Sequence, residues 1–243
     1  MLSERELKKY DRQMMIKDFG PEGQEKLKQA KVLIAGAGGL GSPISVYLAA
    51  AGVGRLTIVD CDTVSISNLN RQIMYGEKDV DRQKAQSAQE TIAGLNSDII
   101  VRGIAEKIAE ENVDDLVGDN DLIVDAMDNV PTRLLINKVA IKKSIPVFHG
   151  AVYGFDGRVT TIIPGVTPCL RCLYPKIPPS SKFPVVGVAP AIIGCIQAAE
   201  VIKYIVGIGE LLTGRILIYD GLKSRFLHID VKRKTGCDAC GHI

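Results

Sequence analysis

Residues 31–43, KVLIAGAGGLGSP, carry an apolar run into a glycine-rich turn and out into a helix start. Lys31–Ala35 reads as a buried strand and residues 42–51 as the helix that follows. The turn fits G-x-G-x-x-G at Gly36, Gly38 and Gly41, with Gly39 inside it. Glycines there permit a tight bend and let backbone N–H groups and a helix N-terminus approach phosphate oxygens.

Outward from that turn, strands and helices alternate. RLTIV at residues 55–59 reads as the next strand, residues 79–95 as a polar helix and 99–102 as a strand. DLIVDA (121–126) is a strand, 131–143 a helix and 145–149 a strand. Continuous apolar strands between helices predict a parallel sheet covered on both faces. Past Gly150, residues 158–163, 215–219 and 226–231 read as a more antiparallel portion, with a long helix near 190–206. Residues 3–30 form a polar, helix-prone opening, and 174–184 a Pro/Ser-rich loop long enough to be functional. No internal repeat or linker divides the chain.

At 243 residues the chain can bury one sizeable core. Its 46% hydrophobic and 24% charged content is ordinary for a globular protein, and a formal charge of +2 gives no reason for a direct nucleic-acid partner. The KRK run at 232–234 reads as a solvated strand end. MLSERELKKY is too charged for a signal peptide. The most apolar stretch, residues 188–208, is interrupted by Gln197, Glu200 and Lys203, a polar stripe that marks a buried amphipathic helix and not a membrane span. These readings point to a cytoplasmic protein.

Six cysteines are present, and four of them form two C-x-x-C pairs: Cys169 with Cys172, and Cys237 with Cys240. In a cytosolic setting that pattern indicates a metal before disulfides. The pairs can supply four thiolates to one tetrahedral Zn²⁺, a closed structural site, if the strands bring them together.

Asp60 ends the second strand at a spacing suited to a ribose hydroxyl. A dinucleotide oxidoreductase and an ATP user both satisfy this much. The cluster SNLNRQ, 67–72, separates them. A nicotinamide site needs mostly apolar walls, whereas a triphosphate needs cations and a metal ligand. Arg71 offers a planar fork of donors and Lys84 a point charge. Asp128, just past DLIVDA at the sheet's carboxyl edge, could hold Mg²⁺. As a set these residues favour ATP over NAD.

At these positions the chain resembles the MoeB/ThiF/HesA family, bacterial and archaeal relatives of ubiquitin-activating enzymes, with the MoeB pattern nearest. The resemblance rests on YDRQ (10–13), GAGGLGSP (36–43), AGVGRLTIVDCDTVSISNLNRQ (51–72), DAMDN (125–129), PCLRCLY (168–174) and GCDACG (236–241), nearly the whole chain. It implies a Rossmann-like ATP-binding α/β fold with a mixed central sheet, helices on both faces, an antiparallel C-terminal portion and a four-cysteine zinc site. It also implies a single adenylation domain over 1–243, with a helical arm (1–30), a nucleotide-binding half (31–150) and a partner- and zinc-binding half (151–243).

The implied activity is ATP-dependent adenylation of the C-terminal glycine of a ubiquitin-like β-grasp sulfur-carrier protein of the MoaD or ThiS type. By resemblance, Gly39 and Gly41 line the phosphate turn and Asp60 holds the ribose. Asn68, Arg71 and Lys84 contact phosphates, Asp128 binds Mg²⁺ and Asn129 lies beside the nucleotide. Arg12 reaches the other subunit of a homodimer as an arginine finger.

One departure stands out. Some members carry a cysteine in the loop matching KIPPSSKFPVVG, 176–187, which has none here. Neither Cys61 nor Cys195 is assigned as a nucleophile, so adenylation is the expected activity and a covalent transfer step is not. The sequence stops at Ile243, so sulfur is expected from a separate sulfurtransferase. Competing readings are adenylation of a small-molecule or tRNA-linked carboxylate, an NAD-dependent oxidoreductase, and a non-catalytic scaffold.

Overall fold

The computed structural model describes residues 1–176 and 183–242. Five strands run parallel in the order β3-β2-β1-β4-β5: β1 (Lys31–Ala35), β2 (Arg55–Val59), β3 (Ile100–Ile104), β4 (Leu122–Asp125) and β5 (Val147–Tyr153). β6 (Asp156–Ile162), β7 (Arg215–Asp220) and β8 (Arg225–Asp230) extend the same sheet antiparallel. The change of direction follows from connection length. β5 reaches β6 through a hairpin bend with Gly154 at φ 60°, whereas parallel neighbours need a long crossover.

Strand β1 shows why its run is apolar throughout. Val32 and Ile34 join the core on one face, Leu33 and Ala35 the core on the other. The first core is closed by α3 (Gly20–Gln29), α4 (Gly41–Ala51), α5 (Lys84–Leu95) and α9 (Val188–Val206). The second is closed by α6 (Val113–Val117), α7 (Val130–Lys143) and α8 (Leu170–Leu173). Phe148, fully buried, packs into the first core, and truncation to alanine there costs about 3–5 kcal/mol.

Several elements differ from the sequence reading. The N-terminal segment splits into α1 (Glu4–Lys9), α2 (Asp11–Met14) and α3, with a Ser3/Glu6 capping box opening α1. The helix expected from residue 79 begins at Lys84. Asp79 instead accepts from the Gly76 N–H at 2.9 Å in a 3₁₀ turn, and Asp81 has φ 68°, which no continuing helix allows. β5 continues past His149 to Tyr153 because β6 pairs along its whole length. Neither α6 nor α8 reaches two turns, too short to leave a helical period in the sequence.

Helix α9 is long and apolar enough to cross a membrane by composition, but it packs on β5, β6 and α4 within the fold. Its polar stripe turns inward. Gln197 Nε2 donates to the Asp125 and Phe148 carbonyls at 3.0 and 2.9 Å, and Glu200 accepts from Thr161 Oγ1 and Leu212 N at 2.6 and 2.7 Å. Ile192, Cys195, Ile196 and Ala199 form an apolar, partly exposed outer face that ends at Lys203. The KRK run also differs from a solvated strand end: Arg233 donates to the Gly165 and Cys240 carbonyls at 2.8 and 2.6 Å.

Candidate active site

Strand register sets the site. Ile104 pairs with Val59, Val59 with Ala35, Ala35 with Asp125 and Asp125 with His149, so β1 to β4 end level while β5 runs on to Tyr153. The chain leaves β1 into the glycine turn, β2 into Asp60 and β4 into residues 126–129 along one edge. Open α/β sheets bind ligands at this edge.

The turn needs its glycines for space as well as conformation. Gly36 has φ 100°, and a Cβ on Gly41 would lie 2.0 Å from the Gly36 carbonyl oxygen. A Cβ on Gly36 would meet the Ala126 carbonyl oxygen at 2.8 Å, so the Asp128 loop lies directly beside the turn. Ala37 N donates to Asp60 Oδ2 at 2.8 Å and Asp62 N to Asp60 Oδ1 at 2.9 Å. Burial pushes the Asp60 carboxyl up, against the opposing pull of Lys84 and those two N–H donors.

Two cationic residues flank this edge from different elements. A Cβ on Gly39 would lie 3.5 Å from Arg71 Cγ and 3.2 Å from Pro190 Cγ, so Arg71 and the start of α9 bracket the turn. Arg71 Nη1 donates to Ser67 O at 2.9 Å and Asn70 Oδ1 at 3.0 Å, which ties its guanidinium to its own cluster. Lys84, buried at the first position of α5, donates from Nζ to Asp62 Oδ2 at 2.8 Å. Tyr75 OH lies 2.8 Å from the Ala37 carbonyl and 3.3 Å from that of Lys84, a link between turn and helix that sequence reading missed.

The asparagines have structural work of their own. Asn68 Oδ1 accepts from Ser65 N at 3.0 Å, and Asn129 Oδ1 caps α7 by accepting from Thr132 N at 3.0 Å. Asn129 Nδ2 donates to Asp128 Oδ1 at 3.3 Å, and the Asp128 side chain is otherwise exposed. The loop itself is fixed at Met127. Its N–H donates to Asp125 Oδ1 at 3.1 Å, and Arg133 holds its carbonyl while also donating to Gly150 O at 3.1 Å. Asp125 is fully buried against His149, a pairing with no signature in the sequence spacing.

Arg12 is not brought to this edge. It is exposed on α2, whose neighbours Tyr10 and Gln13 pack against Gly52 and Ala51 at the far end of α4. The 11 residues of α4 put that end about 16 Å from the glycine turn of the same chain.

The two C-x-x-C pairs meet. All four Sγ atoms lie within 4.8 Å of one another, with Cys169–Cys172 at 3.9, Cys169–Cys237 at 3.8 and Cys172–Cys240 at 3.6 Å. Thiolates at about 2.3 Å around tetrahedral Zn²⁺ stand about 3.8 Å apart, so the set fits. Burial opposes ionisation of Cys237, but N–H groups of Cys240 and Ala239 and the neighbouring thiols bring it down to about 7. Burial raises the thiols of Cys61 and Cys195, in keeping with neither being a nucleophile. Residues 177–182 of the cysteine-free loop 176–187 lie outside the described residues.

Comparison with known proteins gives a consistent result. The ThiF family model matches residues 10–239. The sulfur carrier protein adenylyltransferase of Thermus thermophilus is 44% identical, over 97% of this chain and 91% of its own length. The SAMP-activating enzyme E1 of Haloferax volcanii is 42% identical, over 97% and 89%. Among solved structures, E. coli MccB crystallised with MccA-N7isoASN superposes with a TM-score of 0.83 at 26% identity, covering 90% of this chain and 69% of that one.

Proposed function

The chain belongs to the ThiF family, and from that premise we propose that it is an adenylyltransferase that activates the C-terminal glycine carboxylate of a ubiquitin-like β-grasp sulfur-carrier protein. The observation that carries this reading is the shared edge: the glycine turn, Asp60, Arg71, Lys84 and the Asp128 loop lie together at level strand ends. The names of relatives at 42–44% identity favour a sulfur-carrier protein over a small-molecule or tRNA-linked carboxylate.

In this chemistry a carboxylate oxygen attacks the α-phosphorus of ATP. The bond from that phosphorus to the bridging oxygen breaks, leaving an acyl-adenylate and pyrophosphate. Negative charge moves onto the departing group, so fixed cations stabilise the transition state more than the ground state. Arg71 and Lys84 supply those cations, the turn N–H groups cradle phosphate, and Asp60 receives the ribose. Asp128, exposed and lightly bonded beside the turn, suits a Mg²⁺ that keeps most of its waters. The ion would neutralise phosphate charge. No protein nucleophile takes part. The four cysteines hold a structural Zn²⁺.

A homodimer completes the proposal. The partly exposed apolar face of α9 formed by Ile192, Cys195, Ile196 and Ala199 supports a covering partner, and a second copy would let Arg12 reach the neighbouring site. The test is ATP–pyrophosphate exchange against a panel of glycine-ending β-grasp proteins and small carboxylates. Exchange that depends on the β-grasp proteins supports the reading, and exchange with a small carboxylate alone overturns it.

A further inference from the structure

Asp125, His149 and Tyr174 form a buried hydrogen-bonded chain that the adenylation chemistry leaves unused. Asp125 ends β4 level with His149 on β5. Gly150, the next residue, faces Gln197 of α9, so strand alternation turns His149 to the opposite face of the sheet. There its Nδ1 lies 2.7 Å from Asp125 Oδ2 and its Nε2 2.9 Å from Tyr174 OH. Tyr174 is the residue that closes α8, the short helix between Cys169 and the end of the first cysteine motif.

The second carboxylate oxygen of Asp125 reaches the nucleotide edge. Oδ1 accepts from Met127 N at 3.1 Å, and Met127 is the neighbour of Asp128. Arg133 Nη2 holds the Met127 carbonyl, while Arg133 Nε stands 3.5 Å from Asp125 Oδ2 and makes no hydrogen bond. That ion pair attracts the carboxylate without fixing its plane. The directional bond on Oδ2 comes from His149. The chain has one workable polarity: a carboxylate facing Arg133 only accepts, so Nδ1 carries the imidazole proton, and the Nε2 lone pair accepts from Tyr174 OH. Burial, which favours the uncharged ring, agrees with this arrangement.

We propose that His149 is a positioning residue for the nucleotide site, fixing the Asp125 carboxylate so that it holds the loop carrying Asp128 at the sheet edge. His149 acts through Asp125 and touches no reacting group. Its effect on turnover rests on the adenylation reading, whereas its hold on the loop does not.

The experiment compares wild type, His149→Asn and His149→Leu by backbone hydrogen exchange over residues 126–129, by melting, and by ATP–pyrophosphate exchange. An asparagine amide nitrogen can take the place of Nδ1 and keep the bond to Asp125, whereas leucine removes it. His149→Leu is expected to exchange its 126–129 amides about 10- to 100-fold faster, the range for a lost hydrogen bond to a charged group, and to lose catalytic exchange by a similar factor. His149→Asn should stay within about 3-fold of wild type in loop protection, a rescue that loss of packing alone would not give. Unchanged protection of 126–129 in His149→Leu overturns the proposal. So does equal loss of protection and of melting temperature in both variants, which would make the imidazole a packing group. Nitrogen-15 spectra of the wild-type histidines give a test that needs no variant: at pH 7.5 His149 should be neutral with its proton on Nδ1, and a proton on Nε2 alone overturns the chain. Wild-type protein without carrier-dependent exchange is a distinct result and overturns the adenylation reading itself.

Discussion

Lys84 Nζ and Asp62 Oδ2 stand 2.8 Å apart, joining the first residue of α5 to the acidic turn after β2. The partners are unequal: the lysine side chain is 7% exposed and the aspartate 65%. A cation at a helix N-terminus also opposes the helix dipole, by about 0.3–1 kcal/mol. Local rules broken in this way are commonest at functional sites, where the residue serves a ligand. Lys84→Met is therefore expected to lower ATP–pyrophosphate exchange by about 100-fold or more while leaving thermal stability unchanged or raised. Asp62→Asn should retain exchange within about 10-fold, because its carboxylate is exposed and phosphate can replace it as the partner of Lys84. Comparable losses in the two variants would mean that the pair is needed for its own sake.

Arg12 lies at the end of α4 remote from its own glycine turn, so any catalytic contact must be made across a dimer. Arg12→Ala and Asp128→Ala are each expected to be inactive in exchange. Mixed after verified subunit exchange, they should regain about a quarter of wild-type activity, from heterodimers with one intact site each. No recovery would count against action in trans.

The cysteine cluster can hold one metal ion per chain, and zinc fits its spacing. Cys237→Ser should lose stoichiometric zinc by elemental analysis and melt several degrees lower. Burial of Cys169 and Cys240 beside the same knuckle means that an empty site leaves thiols packed against one another. Full zinc content in Cys237→Ser would exclude the four-thiolate arrangement.

His149 provides a pH test. It is buried with Nδ1 2.7 Å from Asp125 Oδ2 and Nε2 2.9 Å from Tyr174 OH, and Arg133 and Arg158 also face it. Burial pushes the imidazole below its ordinary 6.5, outweighing the hydrogen bond to Asp125. Below 6.5 the unfolded chain therefore takes up a proton that the folded one refuses, so stability falls as pH drops through that value and levels off above it. Urea midpoints at pH 5 and 7.5 should show a smaller pH-dependent loss in His149→Asn than in wild type. Equal losses would show that His149 does not contribute.

Much of the fold was legible because its elements obey simple periods. KVLIA, RLTIV and LIVD are continuous apolar runs, and their register alone brings Gly36, Asp60 and Asp128 to one edge. The two C-x-x-C spacings offered four thiolates, and the family resemblance, not the spacing, implied that Cys169, Cys172, Cys237 and Cys240 meet, as they do. Long-range pairings were not legible, because nothing local marks them. Asp125 with His149, Tyr75 with Ala37 and Gln197 with the Asp125 carbonyl each join residues far apart in sequence.

The central claim is tested most directly by ATP–pyrophosphate exchange with a purified glycine-ending β-grasp carrier, comparing wild type with a folded Asp128→Ala variant. Exchange that requires the carrier's terminal glycine, and that falls by about 100-fold or more in Asp128→Ala, is the expected result. Exchange that is indifferent to the carrier, or that survives at near wild-type rate in well-folded Asp128→Ala, would contradict it.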